Sequence, residues 1–310
     1  MPEMREVFGN TLKELGEEYP DIIVIDADLN TSTRTVDFKK RFPDRFIQAG
    51  IAEQNLFGIA AGLASEGYIP FPSTFATFAS QKALDQISIS IAYPKLNVKI
   101  PGSYGGLPTG KGGASHVAIN DLAVMRTLPN MKVVAPGDNQ ELKSVMTRIV
   151  QEEGPVYFRI IRTEVADILD KDYEFQWGKG VKIKEGKDIT LIGTGMMTGY
   201  CLEVIEILKN KNIDIELIHM SSLKPIDRNI IIESARKTGK IVTVENATVI
   251  GGLGSAVAEV LTEKKISASV KKIGVKDEYV KSGSEKQLFE YYNMTPDDIA
   301  EIVQKEINIK

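Results

Sequence analysis

Ala49-Gly50-Ile51-Ala52-Glu53-Gln54-Asn55 runs directly into Gly58-Ile59-Ala60-Ala61-Gly62-Leu63-Ala64. The stretch reads as the entry and body of one helix. Gly50 loosens the backbone ahead of it, and Glu53 falls near the first turn, where the helix dipole favours a negative charge. The glycine and alanine run gives the helix one narrow face, suited to close packing on a sheet or another helix. Upstream, Asp21-Ile22-Ile23-Val24-Ile25-Asp26 is a short apolar run ending in acid, the pattern of a buried parallel strand. A carboxylate on a tightly packed helix is a well-held acid–base group. Complementing the dipole is the blander and commoner role of a first-turn glutamate.

Outward from this stretch the pattern repeats. Met4, Val7, Phe8, Leu12 and Leu15 have helical spacing over residues 4–18. The strand at 21–26 ends in the small polar loop Ala27-Asp28-Leu29-Asn30-Thr31-Ser32-Thr33, where ligands gather in open α/β sheets. Phe46-Ile47-Gln48 leads into the Glu53 helix, which is expected to end near Gly67. Tyr68 to Pro72 reads as a short extended segment, with Ser73 and Thr74 capping a helix that runs to about Ala92. Leu96 to Ile100 reads as a strand, followed by the glycine-rich loop Pro101 to Ser115. Helices near 119–127 and 139–151 then alternate with strands near 131–135 and 156–160.

Residues 163–187 have weaker periodicity and read as a connection. A second alternation comes after it: strands at 188–193, 215–218, 240–245 and 269–274, and helices at 197–210, 227–237 and 252–263. Asn293-Met294-Thr295-Pro296 caps a final helix with Pro296 at its first position. The fold class is α/β, with two doubly wound, mainly parallel-sheet domains over residues 1–165 and 188–310 joined by a connection at 166–187.

The length of 310 residues suits two domains at about 150 residues each. A net charge of −4 gives no reason to expect nucleic acid or an anionic membrane as partner. No run approaches the ~18 apolar residues of a spanning helix, and the first residues have no apolar signal core. A single cysteine, Cys201, excludes an internal disulfide and points to a reducing compartment, so a cytoplasmic protein is expected. With two histidines (His116, His219) and one cysteine, no metal site built by this chain alone is expected.

Phe75 and Phe78, three apart, share one face of the expected helix. They are core packing or a stacking surface for a flat heteroaromatic ligand. The loop 101–115 carries Gly102, Gly105, Gly106, Gly110, Gly112 and Gly113, which let backbone N–H groups approach an anion or sugar closely. The alternative is a mobile surface loop. His116 closes it, as a core histidine or as a proton carrier to a hydroxyl near pH 7. Arg5, Arg159 and Arg162 are candidate anion binders, with surface ion pairs as the plainer role. Arg159 and Arg162 lie at a strand's carboxyl end. Gly251-Gly252-Leu253-Gly254 opens a helix like a phosphate cradle, but lacks the G-x-G-x-x-G order.

Gly50-Ile51-Ala52-Glu53-Gln54, Ser73-Thr74-Phe75-Ala76-Thr77-Phe78, Gly113-Ala114-Ser115-His116 and Leu128-Pro129-Asn130-Met131 together resemble the pyrimidine-binding half of transketolase. Val244-Glu245-Asn246 and Gly251-Gly252-Leu253-Gly254 resemble its C-terminal domain. The resemblance covers nearly the whole chain. It implies a carbohydrate-metabolising transferase of the kind found in the pentose phosphate pathway, dependent on thiamine diphosphate and Mg²⁺ (or Ca²⁺).

By this resemblance Glu53 matches the glutamate that hydrogen-bonds the aminopyrimidine N1′ and favours the imino tautomer, a task that needs a carboxylate able to share a proton. Phe75 and Phe78 match the aromatics against the pyrimidine. Asp28, Leu29 and Ile51 match other cofactor contacts, and His116 a histidine near the donor's hydroxyls. Arg5, Ser32 and Arg162 match the residues that hold a sugar phosphate's terminal anion.

The resemblance also exposes departures. The family's Gly-Asp-Gly…Asn segment, which holds the diphosphate and metal, does not occur, since Gly137-Asp138-Asn139 lacks the second glycine. The chain is about half the length usual for the family. The resemblance therefore implies a split enzyme, with an N-terminal partner subunit carrying that segment, an α2β2 assembly and an active site between subunits. Tyr104 stands where the family often has a phosphate-binding His, and Lys111-Gly112 where it often has Glu-Asp. Gln81 replaces a ring of the cofactor pocket. Lys111 could favour an anionic sugar, phosphate or sulfonate, or point to solvent. The alternatives are the β subunit of a 2-oxo acid dehydrogenase, a deoxyxylulose phosphate synthase-like enzyme, and a non-catalytic scaffold subunit.

Overall fold

β1 (Ile22–Asp26) is buried at all its positions, as its unbroken apolar run requires of a central parallel strand. It lies between β2 (Phe46–Gln48) and β3 (Ile69–Phe75), parallel to both. The structure is a computed structural model that describes residues 2–308. The first sheet continues with β4 (Lys99–Ser103), β5 (Lys132–Val134) and β6 (Val156–Arg159). The second half supplies β7 (Val181–Lys184), β8 (Ile189–Gly193), β9 (Ile215–His219), β10 (Ser222–Lys224), β11 (Lys240–Thr248) and β12 (Ser269–Val275). Two sheets result, ordered β10-β5-β6-β4-β3-β1-β2 and β12-β11-β8-β9-β7. All pairings are parallel except β10 with β5 and β7 with β9. The α/β class and its two mainly parallel sheets are as the alternation predicts. Among the described residues no helix is long and apolar enough to cross a membrane.

The two halves are stitched together. β10 comes from the second half yet forms the edge of the first sheet. Arg159 lies wholly within the junction. Its Nε donates to Asp121 Oδ2 at 3.0 Å, Nη1 to the Asn246 carbonyl at 2.7 Å and Nη2 to the Ala118 carbonyl at 3.0 Å. The Tyr157 hydroxyl donates to the same Asp121 carboxylate at 2.5 Å. Arg159 is thus a strut between halves, and its reading as an anion binder is corrected.

His219, the second histidine, is also sealed there, with Nε2 2.7 Å from Glu141 Oε2 and Nδ1 2.7 Å from Thr198 Oγ1. The Gly251–Gly254 cradle is already filled. Glu245 accepts from the N–H groups of Leu253 (2.8 Å) and Gly254 (2.9 Å) at the start of the helix Leu253–Glu263. Burial pushes the Glu245 carboxyl up to about 7, against the opposing pull of those two donors and of Arg159.

Several local expectations need revision. Ser73 and Thr74 cap no helix; they lie inside β3. The chain then turns through wide i→i+5 turns, such as Ala83 N–H to the Phe78 carbonyl at 3.2 Å. β4 starts at Lys99, later than the apolar run suggests, and takes in Pro101-Gly102-Ser103. The remainder of the glycine-rich segment is no open loop. Tyr104 to Gly110 are buried, and Leu107–Ser115 forms short 3₁₀ turns. Gly106, at φ +75°, leaves no room for a Cβ beside the Asn246 amide. The final helix starts at Pro296 as expected, with Thr295 Oγ1 donating to Asp298 Oδ2 at 2.5 Å.

Candidate functional site

The helix Glu53–Ser65 begins at Glu53 itself. It packs inward through Leu56, Phe57, Ala60, Ala61 and Ala64. Gly58 and Gly62 face outward instead, with nothing within 4 Å of where a Cβ would stand, so the small-residue face packs through its alanines. Glu53 is only 5% exposed. Its Oε2 and Oε1 lie 3.2 and 3.4 Å from Lys82 Nζ. That ammonium also lies 4.4 Å from the centre of the Phe78 ring.

Phe78 opens an unbroken run of ring contacts. It stacks on Phe75 with centroids 5.6 Å apart, and Phe75 stacks on Tyr104 at 4.3 Å. The expected pairing of Phe75 and Phe78 therefore holds, although Phe75 ends a strand and the two share no helical face. His116 presents its edge to both rings, 5.4 Å from Phe78 and 6.2 Å from Phe75. It is half-buried beside them and not sealed in the core, with Nδ1 2.8 Å from Ser115 Oγ.

Beyond Tyr104 the run turns cationic. Arg5 Nη1 donates to the Tyr104 hydroxyl at 2.6 Å and reaches the Ser32 carbonyl at 3.5 Å. The Arg162 guanidinium lies 5.4 Å from the centre of the Tyr104 ring and is exposed. Tyr104 adopts φ 60°, in the left-handed region where a large side chain is strained. Gly105 and Gly106 come next in the chain, and the Thr109 hydroxyl donates to the Tyr104 carbonyl at 2.5 Å.

Asp28, Leu29 and Ile51 form a neighbouring rim. Gln48 Oε1, at the end of β2, accepts from the N–H groups of Asp28 (2.8 Å) and Gly50 (3.3 Å), tying together the loops after β1 and β2. Asp26 anchors the first of these loops through Leu29 N–H at 2.6 Å, Thr33 Oγ1 at 2.8 Å and Thr35 Oγ1 at 2.9 Å. Burial raises the Asp26 carboxyl above its ordinary range despite those donors. Ile51 is 79% exposed. Lys111 is exposed and forms no ion pair among the described residues. Sequence reasoning missed Lys82 altogether, because a lysine four residues after an aromatic carries no signal of the buried carboxylate beside it.

Residues 1–167 match the family described as transketolase, pyrimidine binding domain, and residues 178–299 match transketolase, C-terminal domain. The chain belongs to the transketolase family. A Methanocaldococcus jannaschii protein, provisionally described as a transketolase C-terminal section, is 43% identical over 98% of this chain and 96% of its own length. A 6-deoxy-6-sulfo-D-fructose transketolase subunit of a Clostridium species is 37% identical over 96% of this chain and 92% of its own. The solved structure of a split-gene transketolase, an inactive β4 tetramer, is 48% identical over the whole of both chains, with a TM-score of 0.92.

Transketolase-family enzymes are thiamine diphosphate-dependent transferases of ketol groups, and the pyrimidine-binding domain of this subunit implies that cofactor. The residues present fit the aminopyrimidine end of it. A buried carboxylate whose partner is a half-exposed lysine stands beside the face of a half-buried aromatic ring. A flat heteroaromatic ring with an edge nitrogen satisfies both at once.

Proposed function

We propose that this chain is the C-terminal subunit of a split transketolase that moves a two-carbon ketol unit from a ketose phosphate to an aldose acceptor. The observation that carries the reading is the continuous path from Glu53 past Phe78, Phe75 and His116 to Tyr104, Arg5 and Arg162. It joins a proton-sharing carboxylate, a stacking surface and an anion-binding end in one line.

Glu53 holds the proton at the ring N1′, and Phe75 and Phe78 orient the ring. Asp28, Leu29 and Ile51 border it from the ends of β1 and β2. His116 serves the donor's hydroxyls as a proton carrier. Arg5, Ser32, Tyr104 and Arg162 hold the terminal phosphate, where forked guanidinium donors suit an anion. Bound there, thiamine diphosphate supplies the nucleophilic carbon that accepts the ketol unit. The Gly-Asp-Gly…Asn segment that holds its diphosphate and Mg²⁺ (or Ca²⁺) is assigned to an N-terminal partner, in an α2β2 assembly, because this sequence lacks it. The boundaries at residues 165 and 188 divide the pyrimidine-binding and C-terminal-like domains on this reading, with β7 from the connection joining the second sheet.

The test supplies the two-subunit enzyme with xylulose 5-phosphate and an aldose phosphate. Ketose consumption with two-carbon extension of the aldose is expected. Pyruvate consumption without ketol transfer would replace the reading with an oxo acid or deoxyxylulose enzyme. The free charge of Lys111 supports an anionic acceptor, phosphate or sulfonate, and the kinship with a transketolase subunit named for a sulfo-ketose supports an enzyme that accommodates anionic sugars. Lys111→Glu should raise the KM for such an acceptor by roughly two- to fivefold, the scale of an exposed charge interaction, and leave a neutral aldose unaffected. Equal KM values for both acceptors in the variant and the parent would remove Lys111 from the site.

A further inference from the structure

Lys82 occupies the meeting point of the two surfaces assigned to the aminopyrimidine. Its ammonium lies 3.2 and 3.4 Å from the Glu53 carboxylate oxygens and 4.4 Å from the centre of the Phe78 ring. A ring that takes the same carboxylate edge and the same aromatic surface must enter the volume the ammonium fills.

We propose that Lys82 is an internal plug of the pyrimidine subsite, which neutralises Glu53 in the chain without cofactor and swings into solvent when the ring binds. This rests on the reading of Glu53 and Phe78 as the pyrimidine's partners. A buried carboxylate with no partner is costly, so the empty subsite gains from an opposite charge. The plug can leave easily. The Lys82 side chain is 51% exposed, and its flexible stem lets the strongly hydrated ammonium return to water. The wide turn that carries it, closed by Ala83 N–H on the Phe78 carbonyl, belongs to a class of helix irregularity found frequently at functional sites. The plug therefore lowers the apparent affinity for the cofactor by the fraction of chains it closes.

Lys82→Met keeps the apolar stem and removes the ammonium. The experiment titrates thiamine diphosphate, at a fixed divalent-cation level, into the complex of this chain with its N-terminal partner and reads Kd by calorimetry. Four forms are compared: parent, Lys82→Met, Glu53→Gln and the double variant. Glu53→Gln should weaken binding. Lys82→Met should tighten it by roughly two- to fivefold, the factor of a half-exposed ion pair, and the gain should vanish in the Glu53→Gln background. If Glu53→Gln weakens binding but Lys82→Met leaves Kd unchanged or raises it, the plug is overturned while the pyrimidine reading stands. An equal gain in the Glu53→Gln background also overturns it, by placing the effect away from the pair. If Glu53→Gln leaves Kd unchanged in the Lys82→Met background, where no plug can offset the lost contact, the pyrimidine reading fails and takes the plug with it.

Discussion

Glu53→Gln is expected to lower kcat of the two-subunit enzyme by roughly 10²- to 10⁴-fold, the usual contribution of a positioned proton-transfer group. The substitution is nearly isosteric. The helix still starts at residue 53, and Leu56, Phe57 and Ala60 still pack behind it. A glutamine can hydrogen-bond a ring nitrogen, but it cannot hold and release the proton there. The loss should therefore fall mainly on kcat, with a smaller loss of cofactor affinity. Circular dichroism should show no change in fold. Steady-state ketol transfer at saturating cofactor checks the claim, and a variant within threefold of the parent would exclude Glu53 from proton transfer.

Arg159→Leu should cost about 3–5 kcal/mol of stability, the scale of breaking a buried ion pair by removing one partner. Asp121 is fully buried, and of the Arg159 guanidinium and the Tyr157 hydroxyl its charge would keep only the hydroxyl. The Asn246 carbonyl loses its Arg159 donor as well, while the Ala118 carbonyl keeps only the Gly106 N–H at 2.8 Å. Against a typical total of about 5–15 kcal/mol this is a large share, and Tm should fall on the order of 5–15 °C. Asp121→Asn combined with Arg159→Met should recover part of the loss, since it removes both charges. Arg162→Leu is the control. That side chain is exposed, so its stability should move by no more than about 0.5 kcal/mol while the KM for a phosphorylated donor rises. A Tm for Arg159→Leu as high as that of Arg162→Leu would contradict the strut.

The contrast between Arg159 and Arg162 marks how far the sequence was legible. Both sit at the end of β6, and composition treats them alike. Their roles separate only because Asp121 and Asn246, contributed by other elements, converge on one and not the other. The same holds for Gly251–Gly254, a plausible anion cradle until Glu245 is found inside it. Lys82 is the reverse case, a residue without local signal that meets a buried acid across the fold.

Sheet architecture was legible where strands are unbroken apolar runs, as in β1. The sequence reads as a segment ending at Pro72 because Ser73-Thr74 resembles a helix cap, whereas β3 runs on to Phe75. Pro70 and Pro72 lie opposite Ile23 and Ile25 of β1, and pairing with β4 starts only at Thr74. β10, with three residues, has no period to read, and its partner strand lies in the other half of the chain. Of the residues singled out in the sequence, Phe75, Phe78 and His116 lie in ring contact and Glu53 meets Phe78 through Lys82, while Asp28, Leu29 and Ile51 form a rim and Lys111 is exposed.

The central claim is that this chain holds the pyrimidine half of a site that a partner subunit completes. The most direct measurement is calorimetric titration of thiamine diphosphate into this chain alone, into its N-terminal partner alone, and into the two mixed. Stoichiometric binding by the mixture, abolished in each separate chain and accompanied by ketol transfer, is the predicted result. Tight binding and full turnover by this chain alone would contradict it.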